Sequence, residues 1–190
     1  MTSAPIAQQR LLIDLQDLDS HLARLRHERK HLPVLARIES VIERLKANKR
    51  AAIQADAALS EAKAQATRSE DEVAQVVRRA EVLRERLHSG SSAARDLSAI
   101  QGEIDQLGQR QSALEEAQIV AMEALDSARE ESERLSREEA EIRAAGRELT
   151  AKRDAEFARL DEEIESLENR RADLAGTIET VLLADYEAVR

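Results

Sequence analysis

The stretch Leu87-His88-Ser89-Gly90-Ser91-Ser92-Ala93-Ala94-Arg95-Asp96-Leu97 constrains this chain more than any other. It is a cluster of turn-forming residues inside a sequence that otherwise reads as helix. On both sides apolar residues recur at alternating steps of three and four, the signature of a coiled-coil seam. Before the cluster the seam runs Leu11, Leu15, Leu18, Leu22 and Leu25, then Leu35, Ile38, Ile42 and Leu45. It thins through Ala52, Ala55, Leu59, Ala62 and Ala66 and strengthens at Val73, Val76, Ala80, Leu83 and Leu87. After the cluster it runs without a break from Leu97 and Ile100 to Ile142, Gly146 and Leu149. It then steps irregularly near Arg153–Phe157 and resumes at Leu160, Ile164, Leu167, Leu174, Ile178 and Val181.

The two seams are mirror images. In an antiparallel hairpin, facing residues have numbers with a constant sum. Leu87 with Leu97, Ala80 with Ile104, Leu59 with Leu125, Ile42 with Ile142 and Leu35 with Leu149 share one such sum. Leu25 with Leu160, Leu18 with Leu167 and Leu11 with Leu174 share a sum one greater, as a stutter in one arm requires. Pro33 falls level with that stutter and removes a helical hydrogen bond. The expected fold is all-α: a long antiparallel two-helix coiled-coil hairpin, kinked near Pro33 and near Gly146–Phe157, with its tip near Ser89–Asp96. The first arm should span about 4–88, the tip 89–96 and the second arm about 97–184, as one elongated domain. Thr2 or Ser3 is a candidate cap for the first helix, and Ser92 or Asp96 for the returning one. Lys49, Gln111, Gln118 and Glu139 fall on the seam, where polar residues set register at a cost in stability.

Composition agrees with a thin seam. Charged residues make up 35% of the 190 and aromatics 1%, the latter being Phe157 and Tyr186. A thick core needs larger side chains. The net charge of −9 excludes a chain that binds nucleic acid through its overall field. There is no cysteine, hence no disulfide and no thiolate metal site. No apolar run is long enough to cross a membrane, and the start lacks the basic and apolar regions of a signal peptide. A cytoplasmic protein is expected, without membrane association, as a monomer or weak homodimer.

The residues that could carry chemistry have plain structural readings. His27-Glu28-Arg29-Lys30-His31 matches the short zincin pattern, but its surroundings are basic and a third ligand is missing. It is read as a chance match, with no metal site assigned. The carboxylates read as solvated faces with partners three or four residues away. No catalytic residue is assigned, and the chain is not expected to be an enzyme. Charge is uneven: 21–50 holds nine Lys or Arg against three acids, while 115–168 holds eighteen acids against eight bases. Folded at the tip, the basic run lies beside part of the acidic run, so ion pairing between the arms is the first reading. A patch for an acidic partner or for phosphate is the second, carried by Arg24, Arg26, Arg29, Lys30 and Arg37. No aromatic residue is near for stacking bases.

The tip also carries a resemblance. Arg86-Leu87-His88-Ser89-Gly90, Arg95-Asp96-Leu97, Ile100-Gln101-Gly102-Glu103-Ile104, Gln109-Arg110-Gln111 and Leu114-Glu115-Glu116 resemble the tip of the bacterial C4-type zinc-ribbon proteins with a long coiled-coil hairpin. Leu182–Arg190 resembles the segment joining their second helix to the ribbon. Ala94 stands where that family usually has proline, and Gly108 weakens the basic stretch before Arg110. The family continues into a four-cysteine ribbon. This sequence stops at Arg190, and the expectation is that it stops short of the ribbon. The resemblance implies a bacterial, actinobacterial-type cytoplasmic protein with a regulatory-adaptor or nucleic-acid-binding role. Relatives are associated with RNA, an alternative sigma factor, and flagellar or secretion components. It implies no cofactor in this chain, and zinc in a ribbon beyond it. Ser89, Gly90, Arg95, Asp96, Leu97, Gln101 and Glu103 are the matching residues and the candidate tip contacts with a protein partner. A turn and its caps would explain the same residues. Two functions stay open: a non-enzymatic adaptor, or a nucleic-acid-binding regulator using the ribbon and the basic stretch 21–50.

Overall fold

The structure is a computed structural model that describes residues 5–89 and 94–189, without the side chains of Ala94 and Arg95. Four helices follow in order: α1 (Ile6–Lys30), α2 (Pro33–His88), α3 (Ala94–Ala175) and α4 (Thr180–Val189). There is no strand among the described residues. None of their helices is long and apolar enough to cross a membrane. The chain is a long antiparallel coiled-coil hairpin with its reversal between His88 and Ala94. Contacts divide it into two compact units, one of residues 1–44 and 142–190 and one of residues 45–141.

In the first unit, α1 and the start of α2 meet the far end of α3. The irregularity at Pro33 is a break between helices. Backbone N–H of His31 is shared between the carbonyls of His27 and Glu28, which ends α1. Pro33 then opens α2, a position where its missing N–H costs nothing. Leu32, in the break, is 7% exposed, so the seam is not interrupted with the backbone. Leu22, Leu25, Leu32, Leu160 and Leu167 form one core cluster, flanked by Leu18, Leu35, Phe157 and Ile164. Leu15, Leu22 and Leu160 are fully buried. Each such leucine contributes about 1.5–3 kcal/mol of burial free energy. On α3 the backbone stays helical through 146–157, and Gly146, Leu149, Arg153 and Phe157 are half-buried. Val41 packs there: its Cγ1 would lie 3.4 Å from a Cβ placed on Gly146. Seam position 42 therefore needs correction. Val41 takes the inner place, while Ile42 is 45% exposed.

The second unit holds the Ala-rich layers and the tip. Ala55 and Ala121 are buried, as are Val76 and Ala80. Leu83, Ile100 and Ile104 cluster with Leu87 and Leu107 below the tip, as the mirrored seams require. Two polar residues of α2, Asn48 and Ser69, are buried in the seam here. Asn48, not Lys49, is turned inward, because the seam follows Leu45 by three residues. It donates from Nδ2 to the carbonyl of Leu135 at 3.2 Å, while its buried Oδ1 has no partner. Lys49 is exposed. Ser69 fills the place between Ala66 and Val73 and returns its hydroxyl to the carbonyl of Ala66 at 2.8 Å.

The caps differ from expectation. Thr2, Ser3 and Ser92 lie outside the described residues. Pro5 is the N-cap of α1, with φ −55° and ψ 141°, and gives it no side-chain hydrogen bond. Asp96 sits in the first turn of α3, where its charge faces the positive end of the helix. At the other end α3 tightens through Thr177 and Ile178, whose N–H groups bond the carbonyls of Leu174 and Ala175. Ile178 stays buried, whereas Val181 is 69% exposed, so the seam ends at Ile178. The entry to α4 is held by Gln8, whose Oε1 accepts from Glu179 N at 3.0 Å.

Candidate functional site

The basic run of 21–50 is where sequence reasoning placed phosphate or acidic-partner contacts. Of the five candidate contacts in it, Arg24, Arg26, Arg29, Lys30 and Arg37, two are engaged across the first unit. Arg29 forks Asp161 with Nε to Oδ1 at 2.6 Å and Nη2 to Oδ2 at 3.0 Å. Its guanidinium also lies 4.3 Å from the centre of the Phe157 ring. The bond to Asp161 raises its already high pKa, so the charge is permanent. Arg26 donates to Glu168 at 2.6 Å. Around them Glu28 pairs with Arg159 at 3.4 Å, and His21 Nε2 lies 3.7 Å from Glu163. Such exposed pairs contribute about 0–1 kcal/mol each. They do lower the positive potential that phosphate would meet. Arg24, Lys30 and Arg37 are exposed and enter no ion pair among the described residues.

The tip residues mostly serve their own helices. Ser89 Oγ donates to the carbonyl of Arg86 at 2.9 Å, prolonging the last turn of α2. Leu97 is half-buried. Gln101 donates to Asp105 at 3.0 Å, four residues on. Glu103 accepts two bonds from Arg79 across the helix pair, at 3.2 and 2.9 Å. Asp96 is exposed. Gly90 and the side chain of Arg95 lie outside the described residues.

A cluster that sequence reasoning missed lies in the first unit. Asp19, 7% exposed, accepts Arg171 Nε at 2.6 Å and Nη2 at 3.3 Å. Tyr186 Oη of α4 donates to Oδ2, which also accepts Arg171 Nη2, at 2.9 Å. Arg171 also grips Glu187 of α4. The two carboxylates hold the guanidinium firmly protonated, Asp19 contributing most. Three helices are thus joined by one buried carboxylate. The signal was available: Asp19 falls four after Leu15 and three before Leu22, on the inner stripe of α1. Beside it runs an open groove floored by Leu18, Leu167 and Leu174. Its rim mixes Asp14, Asp17 and Asp173 with His21, Arg24 and Arg170, so it presents no single sign of charge.

At the end of α1 the rings of His27 and His31 stack with centroids 4.0 Å apart. Among the described residues no three of His, Cys, Asp and Glu converge as metal ligands. Glu28, which a zincin would use as general base, faces Arg159 instead.

Comparison with known proteins matches this geometry. Residues 15–190 fit the profile of the CT398-like coiled coil hairpin domain. Two uncharacterized proteins of Mycobacterium tuberculosis, from strains CDC 1551 / Oshkosh and ATCC 25618 / H37Rv, are each 33% identical over 192 residues. The matched region covers 98% of this chain and 76% of each of theirs. A solved structure from Mycobacterium smegmatis is similar with a TM-score of 0.81 and 28% identity, over 98% of this chain and 78% of that one. The HP0958 protein from Helicobacter pylori CCUG 17874 has a TM-score of 0.56 at 16% identity, a likeness of fold alone, covering 99% of this chain and 78% of that one.

Proposed function

This chain belongs to the CT398-like coiled-coil hairpin family, and from that premise we propose that it is a non-enzymatic adaptor or scaffold that offers its tip and charged faces to protein partners. The observation that carries this reading is the engagement of the reactive and cationic side chains with one another. Arg29 is committed to Asp161, Arg26 to Glu168, Arg79 to Glu103 and Glu28 to Arg159. What remains outward is helical surface with a patterned charge, which suits recognition by another protein surface. Among the described tip candidates Ser89, Asp96 and Gln101 are exposed.

The alternative is nucleic-acid binding through 21–50, together with the zinc ribbon that the sequence resemblance implies. Its support is that Arg24, Lys30 and Arg37 remain exposed on one run of α1 and α2. One experiment separates the two. Labelled single- and double-stranded oligonucleotides are titrated with this chain at low and moderate salt, with anisotropy as readout. The adaptor reading expects no salt-sensitive binding. Binding whose salt slope falls by about 1 for each of Arg24, Lys30 and Arg37 neutralised would favour the alternative. For the adaptor itself, photo-crosslinkers at Asp96, Gln101 and Arg24 in cells should yield discrete protein adducts. Adducts at none of the three would sink it.

A further inference from the structure

We infer that the second unit binds a second copy of this chain, antiparallel to the first, about a twofold axis that crosses α2 at Gln65 and α3 at Val120. Three large apolar side chains face water here within four residues of α3. Ile119, Val120 and Met122 are 57%, 64% and 53% exposed. Single exposed apolar residues are ordinary, whereas a run of them marks an interaction surface. Between the helices at this level lies a shallow groove lined by Ala58, Ala62, Ala121 and Ala124, with Glu61 and Arg68 on its α2 side. Val120 stands one turn before Ala124, on the groove's side of α3.

The occupant follows from the symmetry of the surface itself. Ala113, Ala117, Val120 and Ala124 step by four, three and four along this side of α3, and all four are exposed. They form a second seam beside the buried one. When two α3 helices lie antiparallel with their centre just after Val120, Ala117 of one copy meets Ala124 of the other. Val120 then enters a hole between Ala117, Ala121 and Ala124 of the second copy, a large side chain against small ones, as knobs-into-holes packing requires. Knob and hole share one patch, so two copies close on each other, which is the condition for a twofold interface.

The charges on the other helix choose the same axis. Glu61 and Arg68 are seven residues apart, on one side of α2. Glu61 enters no ion pair among the described residues, and Arg68 donates only to the neutral amide of Gln65, at 3.3 and 2.8 Å. Antiparallel α2 helices that cross between Ala64 and Gln65 set Glu61 of each copy against Arg68 of the other, twice. In the register of the hairpin that level faces residues 119 and 120 of α3. The apolar pattern of one helix and the charge pattern of the other thus agree on the axis to within about one residue, about 1.5 Å along the helix. An unrelated partner would require no such self-matching. The apolar contact supplies the affinity, and the reciprocal ion pairs fix direction and register.

The test is the association state of the whole chain, by sedimentation equilibrium up to millimolar concentration. A reversible dimer is expected. Val120→Glu brings an unpaired charge to the axis from both copies and should weaken association about tenfold or more. Arg68→Glu sets like charges opposite each other and should weaken it about tenfold. Adding Glu61→Arg to that variant restores both pairs in reverse, and should return affinity to within about threefold of the parent. The chain has no cysteine, so disulfide trapping is clean. Val120→Cys should give a covalent dimer on oxidation, because the two copies of that position meet at the axis, and Ile53→Cys, at a position 70% exposed on α2, should not. All these side chains are exposed, so circular dichroism verifies that each variant folds. A monomer at every concentration, association unchanged by Val120→Glu, a double charge variant no better than Arg68→Glu, or equal trapping through Ile53→Cys would each overturn the assignment.

Discussion

Arg171 of α3 donates from Nε to Oδ1 of Asp19 on α1 at 2.6 Å, and Asp19 is almost fully buried. Removing the arginine takes away the charge that balances a buried carboxylate, which still accepts from Tyr186. Arg171→Met should therefore cost about 3–5 kcal/mol, as breaking one side of a buried pair does. Asp19→Leu combined with Arg171→Met removes the stranded charge and should recover most of that loss. Urea unfolding of the single and double variants measures both. A double variant no more stable than Arg171→Met alone would contradict this account. Tyr186→Phe, which loses one bond to a charged acceptor, should cost about 1.5–3 kcal/mol.

Asn48 places a polar amide in the apolar seam with one oxygen unsatisfied. An unpaired buried acceptor carries a desolvation penalty of about 1–3 kcal/mol. Asn48→Leu is close in volume and should stabilise the chain by about that amount. The Nδ2 bond to Leu135 O is the interaction it gives up. A lower unfolding midpoint for Asn48→Leu would show that this bond outweighs the penalty.

Gly102 and Gly108 lie inside α3, and a Cβ at either would meet nothing within 4 Å. Glycine in a helix interior costs about 0.5–1 kcal/mol relative to alanine through backbone entropy. Gly102→Ala and Gly108→Ala should each raise stability by about that much, and additively, since they are six residues apart. Gly146→Ala should gain less, because its Cβ would meet Val41 Cγ1 at 3.4 Å. Thermal melts of the three variants give the order.

Arg134 forks Glu131 with two bonds of 2.7 Å. These hold the Glu131 carboxylate below its ordinary pKa of 4.5. A lowered folded value means that the pair's contribution is present above the unfolded value and is lost as pH falls through the folded one. Carboxyl NMR titration should find the Glu131 midpoint below 4.5, and Arg134→Gln should return it upward. Both groups are solvent-exposed, so global stability near neutral pH should barely change.

Most of the fold could be read from the three-four repeat. Along the second arm every seam position from Ile100 to Ile178 is buried or half-buried. Besides Val181, where the seam has already ended, the errors are single-residue slips, at Ile42 and Lys49, where two neighbours compete for one inward position. Periodicity is blind to such a choice when both candidates lie within one helical step. Here close contact of Val41 with Gly146 and of Asn48 with Leu135 decides it. The candidate sites were less legible. Ion pairing between the arms is the first reading of the basic run, but which cations pair is decided only when the acidic partners of Arg26 and Arg29, more than 130 residues away in sequence, come level with them.

The sequence by itself determined the all-α hairpin and most of its register, because both follow from the spacing of apolar side chains along a helix of fixed pitch. Only the tertiary structure decided which polar residues are buried and which charges are spent. Asp19 reads as one more solvated acid until α4 brings Tyr186 and Glu187 to its side and Arg171 closes on it. Local spacing places Asp19 on the inner stripe of α1, but the groups that pair with it arrive from distant parts of the chain, and no local pattern names them.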